Sequence, residues 1–487
     1  MTSPSPSLLS GFGWSGLAEV AKVVIQLTGI VVLTRLLPPT DFGIIALATV
    51  ITAFASLIQD FGTSAALVQR KEVNQPLIST IFWLNIIIGL ALCLLLFAMS
   101  PLAAYLLQEP RLVPVQMMLS FVFPLSTAGA MQRAMLQRNG RYGILARQEV
   151  TNAICSLAAA VAAAMLGCGI YSLVIQQLVS AAMSTLQTWF VSTTRPKWEW
   201  SRSEFGKTWN FTGHLLAFRC ITYFARNTDN ILIGRFLGSM DLAWYSMAYR
   251  VLLVPIQAMG RVMTRVLLPY YSRDQDKPAK VGDHFLVMMS ILAATFGPAF
   301  AMVWGMRDPF VDLFFGPDWL RVADVLAWLA PVGFIQTISN NVGLLLTAIA
   351  NTRLLRNIGL LSMSGYVLSF CLGLPFGVTG VAAAYFFANL ILASYTLDVS
   401  LRLVGQNAFT LCRRLWRQVL LSALLGVSAR YVDTCVIHDL APSLRFLILG
   451  AAGIALYVLL MALFARDIVR SVWQLRRELV SRSDASV

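Results

Sequence analysis

Apolar runs of about 20 residues, repeated along almost the whole chain, decide what this polypeptide can fold into. Crossing ~30 Å of hydrocarbon at about 1.5 Å per residue takes about 20 mostly apolar residues in helical form. Fourteen such runs are present, at 11–36, 42–67, 77–104, 112–136, 145–167, 169–193, 208–234, 242–268, 281–304, 322–350, 357–376, 378–401, 415–432 and 443–465, hereafter spans 1–14. Connections as short as Leu37-Pro38-Pro39-Thr40-Asp41 and Gly377-Val378-Thr379-Gly380 force successive helices to be antiparallel neighbours. Lipid offers the backbone no hydrogen-bond partners, so the expected fold is an all-α integral membrane bundle with little mass outside the bilayer. At 57% hydrophobic and 12% charged, the 487 residues exclude a soluble enzyme, a disordered chain and a disulfide scaffold.

The charges are few but lopsided, 37 Lys and Arg against 23 Asp and Glu. With the N-terminus placed in the cytoplasm, 24 of the cations fall in cytoplasmic connections and the tail, and 7 fall on the opposite side. That asymmetry obeys the positive-inside rule and predicts an even number of spans with both termini cytoplasmic. The first ten residues lack Lys and Arg, and the apolar run that follows exceeds a signal-peptide core, so it reads as a retained first span. The seven cysteines stand singly, with no CxxC, and read as packing residues.

Sliding the chain against itself gives a match at an offset of 200. Residues 31–42 lie over 231–242 with Arg35/Arg235, Leu37/Leu237 and Asp41/Asp241 identical, followed by Ala48/Ala248. The match falls at the loops after spans 1 and 7, where a six-plus-six duplication puts it. Two pseudo-symmetric six-helix lobes are expected, 1–206 and 207–406, with spans 13 and 14 and a basic tail in 407–487 and a site between the lobes.

Six cations remain inside predicted spans: Lys22, Arg219, Arg226, Arg250, Arg261 and Arg265. Ser15, Glu19, Lys22 and Gln26 share one face of span 1, and Arg219, Thr222, Tyr223, Arg226, Asp229 and Asn230 share one face of span 7. The repeat offset lays Glu19 over Arg219, Lys22 over Thr222 and Gln26 over Arg226, so the repeat axis turns the two faces toward each other. Arg250, Gln257, Arg261 and Arg265 form a third stripe on span 8. A charge at the bilayer centre costs about 2.5–3.5 kcal/mol on insertion scales, which makes a watery interior the expected place for these stripes. Simpler roles compete: Arg261 and Arg265 snorkelling to the interface, and structural pairs Lys22–Glu19 and Arg226–Asp229. Arg219 has no acidic partner on its own helix and is the leading candidate. Six cations against Glu19, Asp60, Asp229 and Asp398 suit an anionic cargo.

Other signals fail on context. Gly11-Phe12-Gly13-Trp14-Ser15-Gly16 spells GxGxxG but follows no strand, and there is no P-loop. His214, His284 and His438 are too far apart to suggest a metal site, and nothing implies a cofactor. Gly373-Leu374-Pro375-Phe376-Gly377 reads as a tight turn. Trp198 and Trp200 read as interfacial anchors in a basic inter-lobe linker with no nucleic-acid role. The connection 305–321, with Asp308, Asp312 and Asp318, reads as an ordinary solvated loop too short for a catalytic domain, and an enzyme is not expected.

The run Leu33-Thr34-Arg35-Leu36-Leu37-Pro38-Pro39-Thr40-Asp41-Phe42-Gly43, its echo at 229–238 leading into 243–250, and Leu268-Pro269 resemble Wzx-type polysaccharide transporters. These are flippases of the multidrug/oligosaccharidyl-lipid/polysaccharide superfamily, and the resemblance is to the colanic-acid-exporter-like branch over residues 11–403. It implies a multi-pass bacterial inner-membrane protein that flips undecaprenyl-diphosphate-linked oligosaccharide repeat units for exopolysaccharide, capsule or O-antigen synthesis. Alternating access through a cationic cavity is implied too, as are partners such as a polysaccharide polymerase and chain-length or export proteins. On that reading Arg219, Arg226, Lys22 and Arg250, with Gln26 and Tyr223, bind the head group, and Glu19 or Asp229 couples an ion. The alternatives are a multidrug/cation antiporter of the same superfamily, expected to have an acidic lumen, and a peptidoglycan lipid-precursor flippase.

Overall fold

A computed structural model describes residues 7–59, 67, 73–201, 223, 227–273 and 277–464, with the backbone alone for 7–19, 258–270, 272–273 and 462–464. All regular structure among the described residues is helical, and helix is present at each of the fourteen expected spans. The spans are Ser7–Leu36, Pro39–Gln59, Gln75–Leu107, Leu112–Ser120 continued by Val122–Arg138, Tyr142–Met165 and Tyr171–Val191. Residues 227–236 of span 7 follow, then Ser239–Arg273, Pro278–Gly305, Arg321–Ser339 continued by Asn341–Ala348, Thr352–Gly373, Gly377–Arg402, Ala408–Cys435 and Pro442–Phe464. Eight helical stretches among the described residues are long and apolar enough to cross a bilayer by length and composition alone. Span 13, carrying Arg417 and Arg430, reaches the length without the hydropathy.

Most boundaries fall within a few residues of expectation. Span 13 is the exception, opening at Ala408 and not at 415. The Asn407 side chain accepts the Thr410 backbone N–H at 2.8 Å and caps a helix whose first turns hold Arg413, Arg414 and Arg417. The turn expected at Gly373–Gly377 is present as a 3-10 segment, Leu374–Phe376, closed by Gly377 at φ 74°, a conformation that favours glycine. Of the cysteines, Cys93 is buried as packing predicts; Cys155, Cys371, Cys412 and Cys435 are exposed, which removes the packing role from those four.

The chain divides into two compact units, Met1–Ala243 and Trp244–Val487. Within the first, span 3 packs on span 4, span 4 on span 6, and span 5 on spans 1 and 6. Within the second, span 9 packs on span 10, span 10 on span 12, and span 11 on span 12. Three pairings thus recur six spans later, the packing signature of the duplication read from the 200-residue offset. The loops that carry that match also touch within the first unit. A Cβ on Gly43 would lie 1.7 Å from the Ser239 carbonyl oxygen, and one on Gly234 would lie 2.3 Å from a Leu47 methyl.

Several buried threonine hydroxyls satisfy themselves inside the helices, as hydrocarbon surroundings favour: Thr52 donates to the Ala48 carbonyl, Thr127 to Phe123, and Thr337 to Gly333. Spans 4 and 6 are joined by Thr185 donating to the Leu125 carbonyl at 2.6 Å and the Trp189 indole donating to Ala128 at 2.8 Å. In the second unit a core of Phe285, Met289, Leu292, Leu345 and Leu401 ties spans 9, 10 and 12 together, with Leu411 and Leu415 from span 13. Spans 13 and 14 attach to this unit, span 13 packing along span 9.

The 305–321 connection departs from expectation. It is ordered as a helix, Arg307–Phe314, and a 3-10 turn, Pro317–Trp319, with Val311 and Trp319 fully buried. Asp308 is paired with Arg430 of span 13 and so is not simply solvated. Arg430 also lies 3.6 Å from the buried Asp433, whose other oxygen accepts the Arg445 guanidinium of span 14 at 2.7 Å. The apolar positions of Arg307–Phe314 pack on span 14, where Phe310 and Phe314 meet Phe446.

Candidate functional site

In the first unit the polar face of span 1 meets span 5. The Lys22 ammonium lies 3.5 Å from the Glu149 carboxylate, a pair in which the two side chains are 29% and 60% exposed. Contact is possible because spans 1 and 5 pack closely: a Cβ on Gly29 would lie 2.9 Å from Leu157. Arg133 of span 4, exposed, is within electrostatic reach of the same carboxylate. Cations from spans 1 and 4 thus lie on the side of the bundle where span 5 presents this carboxylate, and Lys22 is the one paired with it. Gln26, a turn beyond Lys22, is exposed on the same helix. Above Glu149 the polar surface continues through Thr151, which accepts from Gln187 at 2.9 Å, and Asn152, which donates to Ser180 at 3.1 Å.

Glu149 escaped sequence reasoning. It lies four residues inside predicted span 5, two after Arg147, near the edge of the span. The available signal was spacing, since Glu149 and Asn152, three apart, share a helical face with no apolar residue required between them. On the lysine's side of the expected Lys22–Glu19 pair, Lys22 also reaches across to Glu149 at 3.5 Å. The side chain of Glu19 lies outside the described residues.

Of the span 7 candidates, Arg219 and Arg226 lie outside the described residues. Tyr223 is described: its hydroxyl donates to the Val50 carbonyl of span 2 and its ring lies 5.7 Å from Phe54. Its polar end is thus already engaged in joining spans 2 and 7. Asp229 is buried and accepts the Asn230 backbone N–H at 2.8 Å, and Asn227 donates to the Tyr223 carbonyl at 2.9 Å.

In the second unit Arg250 and Gln257 of span 8 are both exposed. Span 8 is led in by Trp244, whose ring carries the Arg321 guanidinium at 5.2 Å, and by Tyr245 stacked on Tyr249. Sequence reading also missed an uncharged network in spans 10–12. Gln336 donates to the Tyr385 hydroxyl at 2.7 Å and to Asn389 at 3.3 Å, and Tyr366 donates to the same Asn389 oxygen at 3.2 Å. Asn389 is fully buried. These residues carry no charge and interrupt otherwise apolar runs one at a time, so a search for intramembrane charges passes over them.

Comparison with known proteins decides the class to which this arrangement belongs. A family model described as polysaccharide biosynthesis protein matches residues 32–324, a stretch that begins at the first repeat loop and extends past the second. The chain belongs to this family. Among characterised relatives it is 28% identical over 342 residues to the lipopolysaccharide biosynthesis protein WzxC of Escherichia coli K12, covering 70% of each chain. It is 27% identical over 470 residues to the teichuronic acid biosynthesis protein TuaB of Bacillus subtilis 168, covering 95% of this chain and 96% of that one. Among solved structures it is similar to the lipid II flippase MurJ in an inward closed conformation, with TM-score 0.71 at 16% identity over 93% of this chain and 99% of that one. An inward-facing MATE transporter of the MOP superfamily follows at TM-score 0.54 and 15% identity, over 80% and 96% of the respective chains. The fold is therefore that of the MOP-superfamily transporters, and the protein is a multi-pass membrane protein of the polysaccharide biosynthesis family.

Proposed function

We propose that this protein flips undecaprenyl-diphosphate-linked oligosaccharide repeat units across the bacterial inner membrane for exopolysaccharide, capsule or O-antigen synthesis. The observation that carries the reading is the half-exposed Lys22–Glu149 pair between spans 1 and 5, with Arg133 of span 4 within electrostatic reach of the same carboxylate. Relatives named for lipopolysaccharide and teichuronic acid biosynthesis, and the MurJ-like fold, support the class of cargo.

The mechanism follows from charge exchange. A half-solvated ion pair at 3.5 Å contributes about 0–1 kcal/mol, so Glu149 holds Lys22 loosely and yields it to a diphosphate that offers stronger, multiply charged acceptors. Arg219 and Arg226 on span 7 and Arg250 on span 8 supply the remaining positive charge, Gln26 meets sugar hydroxyls, and Tyr223 fixes the span 7 face on which the arginines lie. The prenyl chain stays in lipid. Rocking of lobe 1–206 against lobe 207–406, with 407–487 moving with the second, then opens the head group to the periplasm. Asp229 and Glu19 are the carboxylates for ion coupling, and both termini are cytoplasmic. A polysaccharide polymerase and chain-length or export proteins act on the delivered unit.

The test is complementation of a deletion strain. Each lost charge-assisted contact costs about 1.5–3 kcal/mol, so Arg219→Gln and Lys22→Gln are expected to lower surface polysaccharide about 10- to 100-fold at normal protein abundance. Lipid-linked repeat units should accumulate with their sugars accessible from the cytoplasm. Wild-type polysaccharide in both variants would overturn the assignment. An acidic-lumen drug antiporter predicts instead that both substitutions leave polysaccharide untouched.

A further inference from the structure

The linker after span 6, residues 192–201, has no helix or strand, yet it is held along span 3 by side chains. Gln75 donates to the Arg195 carbonyl at 2.8 Å, and the Trp83 indole to the Lys197 carbonyl at 3.0 Å. Ser79 accepts the Lys197 N–H and Thr80 the Ser201 N–H, each at 2.9 Å. Gln75, Ser79 and Trp83 are spaced by four on one face of a helix that carries no charged residue. Irregular backbone whose polar groups are met by protein and not left to water is what a segment needs beside a bilayer.

The depth of this strap can be read from span 3. Its outward-facing apolar residues run from Ile87 to Leu106, through Leu94 and Leu102. That stretch measures about 29 Å at 1.5 Å per residue, one hydrocarbon thickness. Gln75–Trp83 therefore lies beyond the acyl layer, at the level of the head groups. There Trp198 stacks on Trp83 with centroids 4.2 Å apart while remaining 89% exposed, and Trp200 is exposed beside it. An indole with one face on protein and the other uncovered suits the head-group layer better than water.

The charge agrees. Arg195 spends two donors on the Ser192 and Trp189 carbonyls, which fixes its guanidinium over the Trp189 ring with further donors to spare. Lys197 is exposed, and residues 195–207 hold Arg195, Lys197, Arg202 and Lys207 against Glu199 and Glu204. We propose that the strap 192–201 is a binding surface for anionic phospholipid head groups, with Trp198 and Trp200 in the head-group layer and Arg195 and Lys197 on lipid phosphate. The linker is then a lipid-held strap on the first unit, not a free tether, and the lipid composition of that leaflet governs how firmly it is seated.

The full-length protein in vesicles tests this through the emission that Trp198 contributes, taken as wild type minus Trp198→Phe, a variant that keeps the stack. Phosphatidylglycerol brominated at the head-group end of its acyl chains is expected to quench that emission more strongly than phosphatidylcholine brominated at the same depth, and inorganic phosphate should leave it unchanged. Lys197→Gln, with an exposed side chain and its backbone bonds intact, should weaken the phosphatidylglycerol preference about fivefold. Emission that neither brominated lipid quenches would overturn the proposal, because Trp198 would then face water or a protein. Equal quenching by both lipids with Lys197→Gln silent would also overturn it, leaving only apolar insertion.

Discussion

Gly43→Ala is expected to cripple the folded protein, although it adds a single methyl group to a helix. That methyl would lie 1.7 Å from the Ser239 carbonyl oxygen and 2.5 Å from its carbon. The obstacle is backbone, so no rotamer change relieves it, and span 2 or the first turn of span 8 must move. Gly234 abuts Leu47 a few residues away, which closes off the nearest route for such a shift. Overpacking typically costs about 1–3 kcal/mol, and a backbone collision belongs at or above the upper end. For a unit of this size that corresponds to a fall of roughly 6–12 °C in apparent Tm, read on detergent-purified protein. Gly359→Ala is the matched control: no atom lies within 4 Å of its Cβ position, and helix propensity alone predicts a gain of up to about 1 kcal/mol. Equal melting of the two variants would show that the repeat loops are not in contact.

That contact also shows which parts of this molecule are legible in a sequence. The spans are, because the cost of exposing backbone to lipid is written into every 20-residue run. The duplication is, because Arg35, Leu37 and Asp41 recur at Arg235, Leu237 and Asp241, and the packing of spans 3–6 recurs in spans 9–12. Pairings across long separations are not. Glu149 is 127 residues from Lys22, and nothing in either local pattern names the other. The polar rail Gln75, Ser79, Trp83 looks like three tolerated interruptions of an apolar helix until the linker about 120 residues later is seen on it. The Gln336–Tyr385–Asn389 network is illegible for a different reason, since a search for charges inside the spans passes over uncharged polar residues. The expected solvated loop at 305–321 failed because a charged loop and a buried ionic joint share a composition and differ only in what faces them.

That joint carries the second large effect. Asp433 is fully buried, and one of its oxygens accepts both Nε and an Nη of Arg445, at 2.9 and 2.7 Å. Its other oxygen faces Arg430, which is paired to Asp308. Burial and the neighbouring Arg430 push the Arg307 guanidinium below its usual range, while Asp308, Asp324 and Asp433 oppose that shift. Removing Asp433 thus leaves Arg430 and Arg445, both mostly buried, without their shared counter-ion and adds to the strain on Arg307. Deleting one partner of a buried pair costs about 3–5 kcal/mol, and Asp433→Ala is expected to fall in that range. Span 14 should detach first, because Arg445 and the Phe310–Phe314–Phe446 contacts are what fasten its first turns to the helix Arg307–Phe314. Protease cleavage in the 436–441 connection should therefore increase before global melting. Replacing both partners, Asp433→Leu with Arg445→Leu, removes the unpaired charge and is expected to recover most of the loss, since well-packed apolar residues often equal a buried ion pair. Additive costs in that cycle would mean that the two residues do not act as a pair. Recovery would mean that spans 13 and 14 are carried on the second unit by this joint and by the packing of span 13 on span 9, as the proposed movement with that lobe requires.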